Sequence, residues 1–165
     1  MFYEIKNSIL TEWGDYKFSD TCKEIAGITM EEYNTEPYRL VIYGDELIPN
    51  PDYEQEAAEK READFKSKFF NIQGYGWYRK QPKGYQSAVE SMNVLFNIAN
   101  VSDGIQAGLI IFYQQPDFTK PEEYTEEWLI EHQIIQPAMT KEAFMNLYVA
   151  FMTAWNTEEH ENIGE

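Results

Sequence analysis

Apolar side chains recur at intervals of three and four residues in two stretches of the second half of the chain. In residues 85–100 the recurring positions are Tyr85, Ala88, Val89, Met92, Leu95, Phe96 and Ala99. In residues 140–156 they are Phe144, Leu147, Tyr148, Phe151, Met152 and Trp155. This spacing places the side chains on one face of an α-helix, and a helix with a continuous apolar face buries it. We therefore predict two core helices that pack against each other.

Residues 50–70 show a different pattern, in which charged positions dominate and the apolar stripe is thin. Asn50 and Pro51 favour a helix start, because asparagine is a good N-cap and proline is tolerated at the first helical position. Three lysines each follow an acidic residue by four positions, which is the spacing of helical ion pairs: Lys60, Lys66 and Lys68. The pattern predicts one long charged helix that is largely solvated.

Shorter patterns precede this helix. Residues 38–43 are rich in β-forming side chains, and Gly44 follows where a two-residue hairpin turn needs its glycine, so a β-hairpin is predicted here. Residues 19–26 are predicted to form a short helix. Thr29 and Glu32 have the spacing of a capping box, which predicts a further short helical segment.

Glycine and proline interrupt residues 74–84, so this stretch is predicted to be an irregular connector between the long helix and the first core helix. Residues 105–113 are apolar and rich in branched side chains, which is the composition of a buried strand. Another helix is predicted to begin at Thr119 or Pro121 and to end near His132.

These elements predict an α+β fold. It combines N-terminal short strands with a hairpin, a long charged helix, and a mainly helical C-terminal core that contains one buried strand. The predicted regions are residues 1–49, 50–72 and 73–165, and a chain of 165 residues is expected to form one domain overall.

The net charge is −16, from 13 basic and 29 acidic residues. Such a charge opposes direct binding to nucleic acid or to an anionic membrane, and it suits a partner with a cationic surface. The charge is unevenly distributed, because residues 53–100 carry 7 basic and 6 acidic groups and are therefore close to neutral.

Cys22 is the single cysteine, which excludes an intrachain disulfide and a zinc site made of several cysteines. The first residues include Glu4 and lack the long apolar segment of a secretory signal. The longest purely apolar run, residues 109–113, is too short to span a bilayer. We therefore expect an intracellular protein, or one that leaves the cell as part of a larger particle.

The chain contains no recognisable catalytic or metal-binding motif. His132 has no second histidine four residues away, so the helical zinc motif is missing. Gly74 and Gly76 lack the third glycine of a dinucleotide-binding loop. Paired carboxylates can serve glycoside hydrolysis, but any protein with 29 acidic residues contains such pairs. We therefore expect no enzyme activity, no catalytic or metal-binding residue and no cofactor.

One segment is a candidate partner-binding surface. It combines aromatic rings with cations between glycines and a proline, at Tyr75, Trp77, Tyr78, Arg79, Lys80 and Lys83. Aromatic rings and guanidinium groups stack on partners, and Trp, Tyr and Arg are enriched at interface hot spots. In the alternative interpretation the rings fold back onto the core and the cations balance the acidic ends of the chain.

Residues 47–54 contain the sequence Ile-Pro-Asn-Pro-Asp-Tyr-Glu after a predicted strand pair, and the following helix closes with Lys-Phe-Phe at residues 68–70. This combination resembles a segment of small bacteriophage and prophage proteins encoded near tail or receptor-binding genes. The resemblance implies a phage origin, a non-enzymatic role, and a location in the host cytoplasm or the virion. It carries over no site residue.

Three hypotheses for the function follow. In the first, the protein is a non-catalytic phage or prophage protein of the tail or receptor-binding apparatus. It would act by contact with a virion component or with a host protein that has a cationic surface, and it could form a homo-oligomer. In the second, it is an acidic anti-defence inhibitor whose carboxylates mimic nucleic acid and block a host nuclease. The third is a carbohydrate-acting enzyme.

Overall fold

A computed structural model describes residues 1–163 of the chain, with side chains through Glu158. The chain divides into two compact units, Met1–Ala57 and Ala58–Glu165. Each unit has hydrophobic clusters of its own. Residues 164 and 165, which end the predicted C-terminal region, lie outside the described part.

The first unit begins with strands. β1 (Phe2–Lys6), β2 (Ile9–Gly14) and β3 (Lys23–Glu24) form an antiparallel sheet in which β1 is central. Helix α1 (Met30–Thr35) and a 3-10 turn (Pro37–Arg39) lead into the antiparallel hairpin of β4 (Leu40–Tyr43) and β5 (Glu46–Pro49). Four buried apolar residues of this unit form one cluster: Met1, Tyr3, Ile28 and Leu47.

The predicted hairpin and the predicted capping box are confirmed. β4 and β5 pair across the turn at Gly44, whose φ of 66° suits a glycine. The Thr29 side chain accepts a hydrogen bond from the backbone N–H of Glu32, whose carboxylate accepts one from the backbone of Thr29. The helix predicted over residues 19–26 is wrong, because β3 forms there and pairs with β1.

The boundary between the units falls within helix α2 (Tyr53–Lys68). The elements that follow are β6 (Phe69–Ile72), β7 (Gly76–Arg79), α3 (Ala88–Ser102), β8 (Gly104–Ile105), β9 (Ile111–Tyr113), a 3-10 turn (Pro121–Glu123), α4 (Glu126–Glu131), β10 (Gln133–Ile135), β11 (Met139–Thr140) and α5 (Lys141–Ile163). Strands β10, β9, β7 and β6 form an antiparallel sheet in that order, and β8 pairs with β11.

The chain is therefore of the α+β class, but the predicted mainly helical C-terminal core with one buried strand is wrong. The second unit contains a four-stranded sheet, and of residues 105–113 only Ile105 lies in β8 and Ile111–Tyr113 in β9, two strands that belong to different sheets. The predicted irregular connector contains strand β7. Gly74 and Gly76 have φ angles of 87° and 131°, so these glycines form the turn of a hairpin rather than breaking regular structure.

The four-stranded sheet is covered on both faces. On one face, Phe70 packs with its ring centroid 5.5 Å from that of Phe151 in α5. On the other face, Phe69 stacks on Phe65 of α2 at 4.5 Å between ring centroids. The alternation along β6 therefore divides its two phenylalanines between two hydrophobic clusters.

Helices α3 and α5 pack against each other, as their apolar stripes predict. Leu95 and Leu147 are both buried in the main cluster, and the rings of Phe96 and Tyr148 lie 5.0 Å apart. Helix α5 continues to Ile163, past its predicted end. None of the helices in residues 1–163 combines the length and the apolar character that a membrane span requires.

Candidate functional site

The candidate partner-binding residues lie in and around the β6–β7 hairpin, where side chains alternate between the two faces of the sheet. Trp77 and Arg79 lie on the face that α2 covers, and Trp77 packs edge-on against Phe65 with 5.0 Å between ring centroids. Tyr78 lies on the opposite face, is 4% exposed, and shares a 3.0 Å hydrogen bond with the Ser91 hydroxyl. Burial raises the pKa of Tyr78. Three adjacent residues that look like one surface in the sequence therefore belong to opposite faces.

Arg79 is held within the second unit by several partners. Its guanidinium carbon lies 4.8 Å from the ring centroid of Phe69 and 4.9 Å from that of Tyr113. Its Nε donates a 3.1 Å hydrogen bond to the Tyr113 hydroxyl, and its Nη2 donates one of 2.6 Å to Glu126. Burial acts to lower the pKa of Arg79, but the Tyr113 bond and the Glu126 charge outweigh it and the pKa rises. Arg79 therefore remains charged and links parts of the second unit to one another.

The remaining candidates occupy three different environments. Tyr75 lies in the hairpin turn and packs against the main hydrophobic cluster. Lys80 forms an ion pair with Glu158 of α5. Lys83 is exposed. The six candidates therefore do not lie on one surface, although Trp77 and Lys80 border a common groove.

Strand β6 is an edge of the four-stranded sheet, with β7 as its neighbour. The Lys80 N–H donates to the Lys68 carbonyl at 2.9 Å. Hydrogen-bonded pairs alternate along an antiparallel ladder, so Phe70 and Ile72 also turn their backbone groups toward β7. The N–H and C=O of Asn71 then point away from the sheet, and no described residue bonds them. The sheet ends in an open backbone edge.

This edge forms the floor of a groove of about 840 Å³, which we call the β6 groove. Helices α2 and α5 flank it on the two faces of the sheet. Its walls are made of small or short polar side chains, namely Ala63 and Ser67 on α2 and Ala150, Thr153, Ala154 and Thr157 on α5. The volume lies within the range of roughly 300–1,000 Å³ that is typical of ligand sites.

Charged side chains border the end of the β6 groove where β6 begins. Lys66 lies 2.7 Å from the Glu62 carboxylate, and Lys80 pairs with Glu158. The lining of the groove thus includes two lysines and one glutamate. Each of the two lysines has a carboxylate beside it, so this end of the groove is close to neutral in a chain of net charge −16.

Sequence reasoning missed both the open edge and the groove walls. A signal for one wall was present, because the small residues of α5 recur at i, i+3, i+4 and i+7 from Ala150 to Thr157. The edge strand gave no comparable signal. Phe69–Ile72 follows helix α2 without a glycine or proline to mark the change. The helix predicted over residues 50–70 therefore extends past Lys68, where α2 ends, into strand β6.

The described residues contain no group of three or more histidine, cysteine, aspartate or glutamate side chains placed to hold a metal ion. The ring of His132 stacks on Trp128 with 3.9 Å between centroids, and its Nδ1 lies 2.8 Å from the Trp128 carbonyl oxygen. These contacts give His132 a structural role at the end of α4.

Comparisons of the chain with known protein families, with curated proteins and with solved structures gave no match. The geometry of the β6 groove is therefore the main structural indication of function.

Proposed function

We propose that the protein is a non-catalytic binding protein and that the β6 groove is its partner-binding surface. The supporting observation is the open backbone edge at Asn71 on the floor of this groove. Proteins usually protect free sheet edges with lysine, proline or a bulge, because an open edge pairs with other chains. Strand β6 has no lysine or proline, and its register with β7 contains no bulge. An open edge between two helices suits contact with another protein.

The resemblance of residues 47–54 and 68–70 to phage proteins indicates where the partner is to be sought. We place the protein in the tail or receptor-binding apparatus of a phage or prophage, with a virion component or a host protein as its partner. Trp77 and Lys80 border the β6 groove, and in this proposal they contact the bound partner. An aromatic ring beside a groove is a common hot spot of protein interfaces.

Site-specific photo-crosslinking in the producing cells tests this proposal. Benzoylphenylalanine is placed at Thr153, which lines the β6 groove, or at Val149, which is exposed one turn earlier on α5 and lies outside it. We expect the probe at Thr153 to give one discrete cross-linked protein and the probe at Val149 to give none. The variant Ala63→Trp, which fills the groove from α2, should abolish the adduct and leave the melting temperature unchanged.

Three results would contradict the proposal. They are the absence of an adduct at Thr153, equal yields at Thr153 and Val149, and an adduct that persists when Ala63→Trp fills the groove. In each case the contact surface is not the β6 groove.

The second candidate function, an acidic inhibitor that mimics nucleic acid, is favoured by the distribution of ion pairs. Most of the 13 lysines and arginines pair with carboxylates of the same chain, and 29 acidic residues against 13 basic ones leave a large surplus of carboxylates. Binding of such a surface to a cationic nuclease should weaken steeply with salt, which screens exposed charges over about 10 Å at 0.1 M. Binding in the β6 groove should depend weakly on salt, so a salt titration of the captured complex separates the two functions.

A further inference from the structure

We infer that the β6 groove binds an extended segment of a partner protein as a fifth strand beside β6. This segment is apolar on both faces and carries a carboxylate at the end that lies near Lys66 and Lys80. The inference rests on the proposed function and specifies what kind of chain the proposed surface recognises.

The backbone of β6 supplies the first argument. The N–H and C=O of Asn71 and the C=O of Phe69 point out of the sheet by the alternation of the ladder. An extended peptide that adds to a sheet edge bonds to groups of this kind, and its affinity comes largely from these main-chain bonds. β6 has four residues, and a strand rises about 3.4 Å per residue, so the paired part of the segment is four or five residues long.

The two walls of the groove determine the side chains of the segment. Side chains of an added strand alternate, so one set faces Ala63 and Ser67 of α2 and the other faces Ala150 and Ala154 of α5. A strand covered on both faces is apolar on both faces, as in sheets buried between helices. The small wall residues leave room for the side chains that enter.

The walls also favour an extended segment over a second folded copy of this chain as the occupant. The β6 strand of another copy carries its own α2 and α5, and the four helices of the two copies would have to pack beside one another before the two edges could pair. The occupant must be an extended segment without neighbouring helices on either side. An extended segment of a partner protein meets this requirement.

The charged residues at the end of the groove are the reason for expecting a carboxylate on the bound segment. The Lys66 side chain is 56% exposed and borders the groove. Lys80 and Glu158 are each 25% exposed, so their ion pair lies at the groove border, where a bound carboxylate can replace that of Glu158. In a chain of net charge −16, this near-neutral end with its two lysines repels a carboxylate less than the acidic remainder of the chain does.

The probe is a peptide selected from a random library for binding to the full chain. Peptides that also bind the Ala63→Trp variant, in which the groove is filled, are removed by counter-selection. The affinity of an enriched peptide is then compared between Asn71→Pro and Asn71→Ala. Proline deletes an N–H that the free protein does not use in its sheet, and edge strands tolerate proline there. We expect Asn71→Pro to weaken binding by about tenfold or more, and Asn71→Ala to stay within about twofold, because alanine keeps the N–H.

A second measurement keeps the test valid if Asn71→Pro loses its fold, as judged by circular dichroism. Single N-methyl groups are placed along the enriched peptide, and the inference expects binding to be lost at every second residue, since alternate N–H groups of the added strand face β6. The enriched peptides should share a short apolar run with Asp, Glu or the C-terminal carboxylate at one end. Peptides in which either the acidic side chain or the terminal carboxylate is amidated are then compared. The amidation that weakens binding identifies the carboxylate that Lys66 and Lys80 bind.

The inference is overturned if no peptide is enriched over the counter-selected variant, if a folded Asn71→Pro binds as tightly as Asn71→Ala, or if the N-methyl scan has no period of two. It is also overturned if the enriched peptides carry no carboxylate. The crosslinking experiment separates these outcomes from failure of the proposed function. A discrete adduct at Thr153 together with normal binding by Asn71→Pro preserves the groove as the surface and rejects strand addition.

Discussion

The guanidinium carbon of Arg79 lies 4.8 Å from the ring centre of Phe69, its cross-strand neighbour in the β6–β7 hairpin. Phe69 stacks in turn on Phe65 of α2, so the arginine caps a row of rings that fixes the edge strand against the helix. The Tyr113 ring on β9 lies 4.9 Å from the same guanidinium carbon. Arg79 therefore joins three strands of the sheet, β6, β7 and β9.

Arg79→Ala should lower the free energy of unfolding by about 1–3 kcal/mol, because it removes cation–π contacts and the hydrogen bonds with Tyr113 and Glu126. Arg79→Lys keeps the charge but loses the planar fork, so its loss should be intermediate. Chemical denaturation measures both. An alanine variant that unfolds at the wild-type denaturant concentration would show that these contacts add nothing to the fold.

Leu95→Ala should cost about 2–5 kcal/mol of stability, since Leu95 is 4% exposed in the main cluster between α3, α5 and the sheet. Val101 lies on the same helix and is 89% exposed, so Val101→Ala is the matched control and should change stability by less than about 0.5 kcal/mol. Urea denaturation of both variants decides the point. Equal urea midpoints for the two variants would show that Leu95 is not part of the core.

Glu4 in the first unit should make stability depend on acid pH. The hydroxyls of Ser19 and Thr21 donate to its Oε1, and Lys6 lies 3.1 Å from its Oε2. These hydrogen bonds lower the pKa of Glu4 from 4.5 to about 2. Because the folded pKa lies below the unfolded one, the stabilisation is complete above pH of about 4.5 and is lost as the pH falls toward 2.

Glu4→Gln isolates this contribution, because the amide keeps the shape of the side chain and does not titrate. The stability difference between wild type and Glu4→Gln should be largest near neutral pH and should shrink as the pH falls toward about 2. Denaturation curves of both proteins over this range provide the measurement. A difference that does not change with pH would mean that the carboxylate has its ordinary pKa in the folded protein.

Sequence patterns predicted the elements whose stabilising contacts lie within one helix face or one turn. The apolar stripes of α3 and α5 and the capping box at Thr29 are read directly from spacing, because a helix repeats every 3.6 residues. The β4–β5 hairpin is marked by Gly44 at its turn. Strand β3 could not be found this way, since its two residues are extended only because β1 pairs with them.

The candidate site was also harder to predict, because its geometry depends on strand pairing rather than on the spacing of residues within one element. Trp77, Tyr78 and Arg79 stand together in the sequence, and only the period-two geometry of a strand separates Tyr78 from its neighbours. The glycines around the turn suggested a loop, although a hairpin turn needs glycines equally. The groove itself depends on an edge strand, the helix α2 that precedes it and the helix α5 that is distant in sequence, a juxtaposition that no local pattern encodes.

Hydrogen exchange at the Asn71 amide tests the central claim most directly, because it requires no knowledge of the partner. In the free protein this N–H should exchange at nearly the rate of an unstructured amide, while the N–H of Phe70, which faces β7, should be strongly protected. Addition of an enriched peptide should protect Asn71 and leave Phe70 unchanged. A slow Asn71 amide in the free protein, or one that a bound peptide leaves unprotected, would contradict an open edge that receives a partner strand.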